Sequence, residues 1–174
     1  MMHFCPRCGV ALQPRPVKGE GLIPYCSTCR KWYFPPFSTA VSLILRDPAE
    51  EKLLLIRQYG KPEYILVAGY VSKGESAEQT VLRELREEIG VGAQDVRFLK
   101  SAYFPPSETL MLNFTCRTES SDLSGVSAEE VDEARWFSPE EAQRVIKPDS
   151  LARAFLLNFL QTEDFGRKKP FSEP

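Results

Sequence analysis

The 174-residue chain carries one histidine, almost no net charge (−2) and no apolar run longer than a strand. Stretches such as Leu53-Leu54-Leu55-Ile56 fall far short of the ~20 apolar residues that cross a bilayer, so no membrane contact is expected. The balance of charge removes any global basic field for nucleic acid. Internal repeats are absent apart from a paired C-x2-C motif, and no segment is biased enough to count as low complexity. A secretory h-region is also missing, because His3, Pro6 and Arg7 interrupt any apolar run; the expected location is the cytoplasm. His3 itself reads as an exposed terminal residue, not as a ligand. What remains is an ordinary soluble composition, 43% hydrophobic and 26% charged, in a length that holds one domain and a small appendage.

Four of the cysteines form two C-x2-C pairs, Cys5 with Cys8 and Cys26 with Cys29. Gly9 follows the first pair and suits the tight turn that aims thiolates at one ion. Four thiolates at this spacing point to a closed, tetrahedral Zn²⁺ site, a zinc ribbon. Two disulfides are the competing reading, and the reducing compartment expected above favours zinc. About thirty residues could not bury enough surface to fold without the metal. Cys116 falls in an apolar strand and reads as a small buried hydrophobe. The expected division is a zinc ribbon over residues 1–35, a larger domain over 36–162 and a C-terminal tail over 163–174, a loose end with Arg167, Lys168 and Lys169 beside prolines.

The densest signal lies between Gly69 and Val91. Ser76 is a good N-cap, Gln79 can answer it as a capping box, and Gly90 is suited to the left-handed position past a helix end, so a helix is expected over about 77–89. At 100° per residue Val81, Leu82, Leu85 and Ile89 share an apolar sector, and Glu84, Glu87 and Glu88 cluster on the adjoining one. Like charges this close destabilise an exposed helix by a few tenths of a kcal/mol per pair, a penalty that a cation removes. Hard oxygen ligands suit Mg²⁺ or Mn²⁺. The bland alternative is a solvated helix face balanced by Arg83 and Arg86. Arg83, four residues before Glu87, is placed to orient that carboxylate, while Leu85 and Val91 read as core.

Around this segment the elements alternate. Strands are expected over 40–46 and 52–58, joined by a hairpin turn at Asp47-Pro48-Ala49-Glu50, and over 64–68 before the helix. An antiparallel pair over 96–104 and 109–116 follows, then a strand over 134–137. Ser138-Pro139 starts a helix. A last helix over about 150–161 uses Leu151, Ala154, Phe155, Asn158 and Phe159 as one stripe. The mixture suits an α/β/α sandwich with a mixed sheet.

Gly69, Glu75, Arg83, Glu84, Leu85, Glu87, Glu88, Gly90 and Val91 fit the pattern G-x5-E-x7-R-E-U-x-E-E-x-G-U, where U is bulky and apolar. This resembles the signature of the Nudix hydrolases, whose fold is that same sandwich. The resemblance implies metal-assisted attack of water on a diphosphate joined to a nucleoside, with a glutamate from the box or from a later loop accepting the proton. A zinc ribbon ahead of such a domain further resembles the NADH pyrophosphatase subgroup, which cleaves NAD(H) to nicotinamide mononucleotide and AMP and in some cases acts on NAD-capped RNA. The likeness runs through Phe34-Pro35, Leu66 to Val91 and Glu133 to Phe137. In the subgroup motif S-Q-P-W-P-F-P-x-S-L-M, the aligned stretch Ser101 to Met111 keeps serine, one proline, leucine and methionine; Thr109 replaces serine, and Phe104 stands for tryptophan.

By that resemblance Glu84, Glu87 and Glu88 bind Mg²⁺ or Mn²⁺, joined by a fourth glutamate shortly before Trp136. Counting back from Trp136 selects Glu130, and counting forward from Ser101 selects Glu129; Glu130 sits in the better-defined frame. The resemblance also puts Gly69, Tyr70 and Phe34 at the substrate, the two aromatics sandwiching a flat base, and implies a homodimer. Three readings stay open. The leading one is a pyrophosphatase for a dinucleotide such as NAD(H), including NAD-capped RNA. The second keeps the chemistry and changes the substrate to ADP-ribose, FAD or another nucleoside diphosphate derivative. The third is an inert module whose ribbon, with Arg7, Arg15, Lys18, Arg30 and Lys31, recruits nucleic acid or protein.

Overall fold

The computed structural model describes residues 2–162. The expected tail, 163–174, lies outside the described residues. Two compact units divide the chain, the first ending at Phe37 and the second beginning at Ser38.

The first unit is a three-stranded antiparallel sheet of β1 (Gln13–Val17), β2 (Gly21–Cys26) and β3 (Lys31–Trp32). Apart from two cysteines, its buried apolar residues among those described are Ile23 and Pro24. So small an apolar core cannot offset the ordering of more than thirty residues. What gathers the chain instead is the thiol cluster. All five cysteines are free, and the Sγ atoms of Cys5, Cys8, Cys26 and Cys29 lie within 4.8 Å of one another.

In the second unit β4 (Ser38–Arg46), β5 (Leu53–Arg57), β6 (Val67–Tyr70), β7 (Ala93–Phe104), β8 (Thr109–Thr118) and β9 (Glu133–Phe137) form one sheet in the order β7-β8-β4-β5-β9, with β6 also on β4. It is mixed: β4 and β8 run parallel, and the other pairs are antiparallel. Side chains alternate between the faces with the period of a strand. Val41, Leu43, Leu45, Leu54 and Ile56 meet Val81, Leu85 and Ile89 on one side. Ile44, Leu53 and Leu55 meet Ala142, Phe155, Leu156 and Phe159 on the other. Helix α1 (Ala77–Glu84) thus covers one face, and α2 (Pro139–Val145) and α3 (Leu151–Thr162) cover the opposite one. This is the α/β/α sandwich with a mixed sheet that the sequence implied.

Four details differ from expectation. The strand expected over 64–68 runs instead over Val67–Tyr70, with Tyr64 and Ile65 in isolated bridges only. The hairpin between β4 and β5 holds a single ladder pair, Arg46 with Leu53, because the first half of β4 spends the same edge on β6. The apolar stripe of α3 runs through Phe155, Leu156 and Phe159, and Ala154 is exposed. The helix over 77–89 changes character at Glu84, where a π turn over Leu85–Ile89 takes over. Gly90 closes it at φ 76°, and a Cβ there would collide with the Gly125 carbonyl. Both Gly90 and Val91 donate their amides to the Leu85 carbonyl, which fixes the wide turn. Among the described residues no helix is long and apolar enough to cross a membrane.

Candidate active site

The candidate site grows from the approach of α1 to β6. Ser76 Oγ accepts from the Gln79 amide at 3.2 Å, and Gln79 Oε1 accepts from the Ser76 amide at 2.8 Å, so the capping box fixes where the helix begins. Two turns on, Glu84 leans against β6 at Gly69, where a Cβ would overlap its carboxylate. Gly69 is therefore a clearance for Glu84: no other residue leaves room for that carboxylate against the strand.

Arg83 locks this arrangement. Its Nε donates to Glu75 Oε1 at 2.7 Å, its Nη1 lies 2.8 Å from both Glu84 Oε1 and Glu87 Oε2, and its Nη2 donates to the Tyr70 carbonyl at 3.0 Å. The guanidinium so joins strand, loop and helix. Thr80 Oγ1 and the Ser72 amide also donate to Glu75, and Arg83 first of all holds that carboxyl down at about 2. Orientation of Glu87 is thus one of several duties of Arg83. The pairing with Glu75 escaped the sequence reading, although the fixed spacing of the two was its signal.

The three box glutamates do not share one environment. In the π turn 100° steps no longer apply beyond Glu84, so Glu88 turns inward while Glu87 stays half-exposed under Arg83. Glu84 and Glu88 are buried and line a cavity of about 560 Å³ together with Glu130, Gly69 and Tyr70. Glu130 arrives on the loop that wraps the helix end. The Ser127 amide donates to the Glu88 carbonyl at 2.9 Å, Val131 is buried, and the Asp132 amide donates to the Arg57 carbonyl at 2.8 Å. Glu130, not Glu129, lines the cavity. Ala40, Ala68, Met111, Ser107 and Thr109 complete this part of the lining. Phe34 belongs to the amino-terminal unit, where its side chain is exposed.

Burial pushes Glu88 up to about 7, and the charges of Glu84, Glu130 and Glu87 push the same way against the weaker pull of the nearby Gln58 amide. Glu84 is also raised, again by burial first. Glu88 Oε2 and Gln58 Nε2 are both buried without a hydrogen-bond partner of normal geometry. Gln58 has no local motif and could not be picked out from sequence. A buried carboxylate oxygen lacking a partner, beside two more carboxylates, is the donor set that a hard divalent cation satisfies.

The thiol cluster has its own fit. Thiolates each about 2.3 Å from a tetrahedral Zn²⁺ stand about 3.8 Å apart. Cys5 and Cys29 are separated by 3.9 Å and Cys8 and Cys26 by 3.6 Å. The Tyr33 hydroxyl, 3.1 Å from Cys5 Sγ, holds that thiol at about 6.

The domain model described as NUDIX domain matches residues 36–158. NAD-capped RNA hydrolase NudC of Stutzerimonas stutzeri (strain A1501) is 32% identical over 170 residues, which are 97% of this chain and 59% of the relative. NAD-capped RNA hydrolase ndx-9 of Caenorhabditis elegans is 30% identical over 164 residues, 92% of this chain and 43% of the relative. The chain therefore spans about half the length of these curated relatives. A crystal structure of a NUDIX hydrolase from Nitrosomonas europaea shares the fold with a TM-score of 0.70 at 22% identity, covering 95% of this chain and 94% of that one.

Glu88 and Glu75 give opposite pH signs. With its folded value raised from 4.5 to about 7, Glu88 stabilises the fold fully below about pH 4.5 and loses that contribution as pH rises through 7. Glu75, lowered to about 2, stabilises above 4.5 and loses its contribution as pH falls through 2. Urea unfolding without added divalent cation should therefore show stability falling between pH 5 and pH 8, and Glu88→Gln should flatten that slope. An unchanged slope in the variant assigns the pH dependence elsewhere.

Proposed function

The chain belongs to the NUDIX domain family, and from that premise we propose that it hydrolyses the phosphoanhydride of a nucleoside diphosphate derivative, NAD(H) to nicotinamide mononucleotide and AMP, or the same linkage in an NAD-capped RNA. The observation that carries this reading is the convergence of Glu84, Glu88 and Glu130 on one cavity, with a Glu88 oxygen buried and unpartnered. These carboxylates, with Glu87 beside them, would hold Mg²⁺ or Mn²⁺. When bound, such ions neutralise phosphoryl charge and acidify a water molecule for in-line attack.

The remaining residues set the geometry for that chemistry. Arg83, anchored by Glu75, holds the Glu84 and Glu87 carboxylates at one nitrogen, and Gly69 lets Glu84 reach the cavity beside the strand. Burial of Glu84 and Glu88 disfavours their charge when no cation is near, and the same low-dielectric wall strengthens their attraction to a cation that binds there. Tyr70, 60% exposed and lining the same cavity, offers an aromatic face to a base. In the same lining, the Ser107 and Thr109 hydroxyls, 2.9 Å apart, provide polar contacts for a sugar or amide. The names of the relatives favour NAD-linked substrates; the departures of Ser101 to Met111 from the subgroup motif keep ADP-ribose and FAD as the second reading.

Separate incubation of NADH, NAD, ADP-ribose, FAD and an NAD-capped RNA with Mg²⁺ and with Mn²⁺, followed by product analysis, tests the reading. Release of AMP and nicotinamide mononucleotide is expected, with turnover falling by about two orders of magnitude or more in Glu88→Gln. Turnover retained in that variant would sink the proposed role of the acidic wall.

We also assign Cys5, Cys8, Cys26 and Cys29 to one structural Zn²⁺, with the ribbon preceding the hydrolase domain. Elemental analysis of purified protein should give one zinc per chain, lost in Cys8→Ser together with the fold of the first unit. Full zinc content in that variant removes Cys8 from the ligand set.

A further inference from the structure

Strand β5 ends at Arg57, and the chain reverses in the turn Gln58-Tyr59-Gly60-Lys61, closed by the Lys61 amide donating to the Gln58 carbonyl at 3.2 Å. Both central residues have positive φ, 59° at Tyr59 and 66° at Gly60. Turns of this kind belong to Gly, Asn and Asp, and a bulky side chain in the left-handed region is an outlier. Tyr59 is also 79% exposed, the most exposed large hydrophobic side chain among the described residues. Among the described residues its ring and hydroxyl make no ring contact or hydrogen bond. The fold thus keeps an aromatic residue where the backbone disfavours one, and recovers nothing by burying it.

Position explains what the fold does not. Tyr59 lines the same cavity as Glu84, Glu88 and Glu130. Its turn is tied down on both sides: Gln58 is buried, and the Gly60 amide donates to Asp132 Oδ2 at 2.7 Å. Asp132 lies two residues after Glu130 on the loop that carries this carboxylate, and its own amide donates to the Arg57 carbonyl. The ring is therefore presented on a fixed support beside the acidic wall, so little ordering remains to be done on binding. Strained backbone held in place by its surroundings collects at ligand clamps.

We propose that Tyr59 is a stacking platform at the cavity mouth for a purine base of the substrate, on the acidic side, while Tyr70 serves the other flat group. A dinucleotide has two flat ends and one charged centre. Phosphates drawn to the acidic wall and its cation leave a base within reach of each of two exposed tyrosines on the cavity lining. The inference rests on the hydrolase reading above.

The test separates the two. KM and kcat for NADH and ADP-ribose, affinity for AMP by isothermal titration calorimetry, and Tm are measured for wild type, Tyr59→Ala, Tyr59→Asn and Tyr59→Phe. Removal of the ring should raise KM and weaken AMP by about tenfold with little change in kcat, as expected for lost stacking and uniform binding. Tyr59→Phe should restore both to within about twofold. Tyr59→Asn, which suits the left-handed position, should match or exceed the wild-type Tm. Wild-type turnover with unchanged KM and AMP affinity in Tyr59→Ala overturns the stacking role and leaves the hydrolase reading standing. AMP affinity lost in Tyr59→Ala and restored in Tyr59→Phe, with no wild-type turnover of any dinucleotide, leaves stacking and rejects hydrolysis. A Tm lowered by several degrees in Tyr59→Asn means that the ring packs within the fold, which overturns the proposal, and a wild type that neither binds AMP nor turns over either substrate rejects both.

Discussion

The close approach of a glutamate to a glycine organises the second unit. Glu84 can reach the cavity only because position 69 has no Cβ, and it stays there because Arg83 ties the helix to the strand carbonyl of Tyr70 and to Glu75. A buried carboxylate is costly unless its charge is compensated. Arg83 compensates Glu84 and Glu87, yet Glu88 is left with an unpartnered oxygen and a carboxyl pushed up to about 7. That residual imbalance is what a divalent cation corrects, so the same cost that destabilises the ion-free fold is available to bind metal.

The first unit solves a different problem with the same logic. Its few apolar side chains cannot close a core, whereas four thiols within 4.8 Å of one another could do so through one ion. In both units a few charged or polarisable side chains are brought together, part of the set by close spacing in sequence and part by the fold.

What could be read from the sequence was local. The capping box at Ser76, the left-handed Gly90, the apolar runs of β4 and β5 and the two C-x2-C pairs depend on neighbours a few residues away, and each is legible for that reason. Glu130 could be singled out by its offset from Trp136, and it does line the cavity. The rest depends on partners distant in the chain. The π turn is set by Leu85 accepting two amides and by Gly90 packing on Gly125, and within it Glu88 is buried while Glu87 beside it stays half-exposed. Likewise β4 divides one edge between β5 and β6, and Gln58 and Tyr59 acquire meaning only when the Glu130 loop closes on them through Asp132.

Diffraction at the manganese edge from crystals grown with Mn²⁺ tests the central claim most directly. The account predicts anomalous peaks in the cavity about 2.1 Å from carboxylate oxygens of Glu84 and Glu88, with Glu130 facing them. Carboxylates still closed on Arg83 with no manganese between them, or manganese bound only elsewhere on the surface, would contradict it.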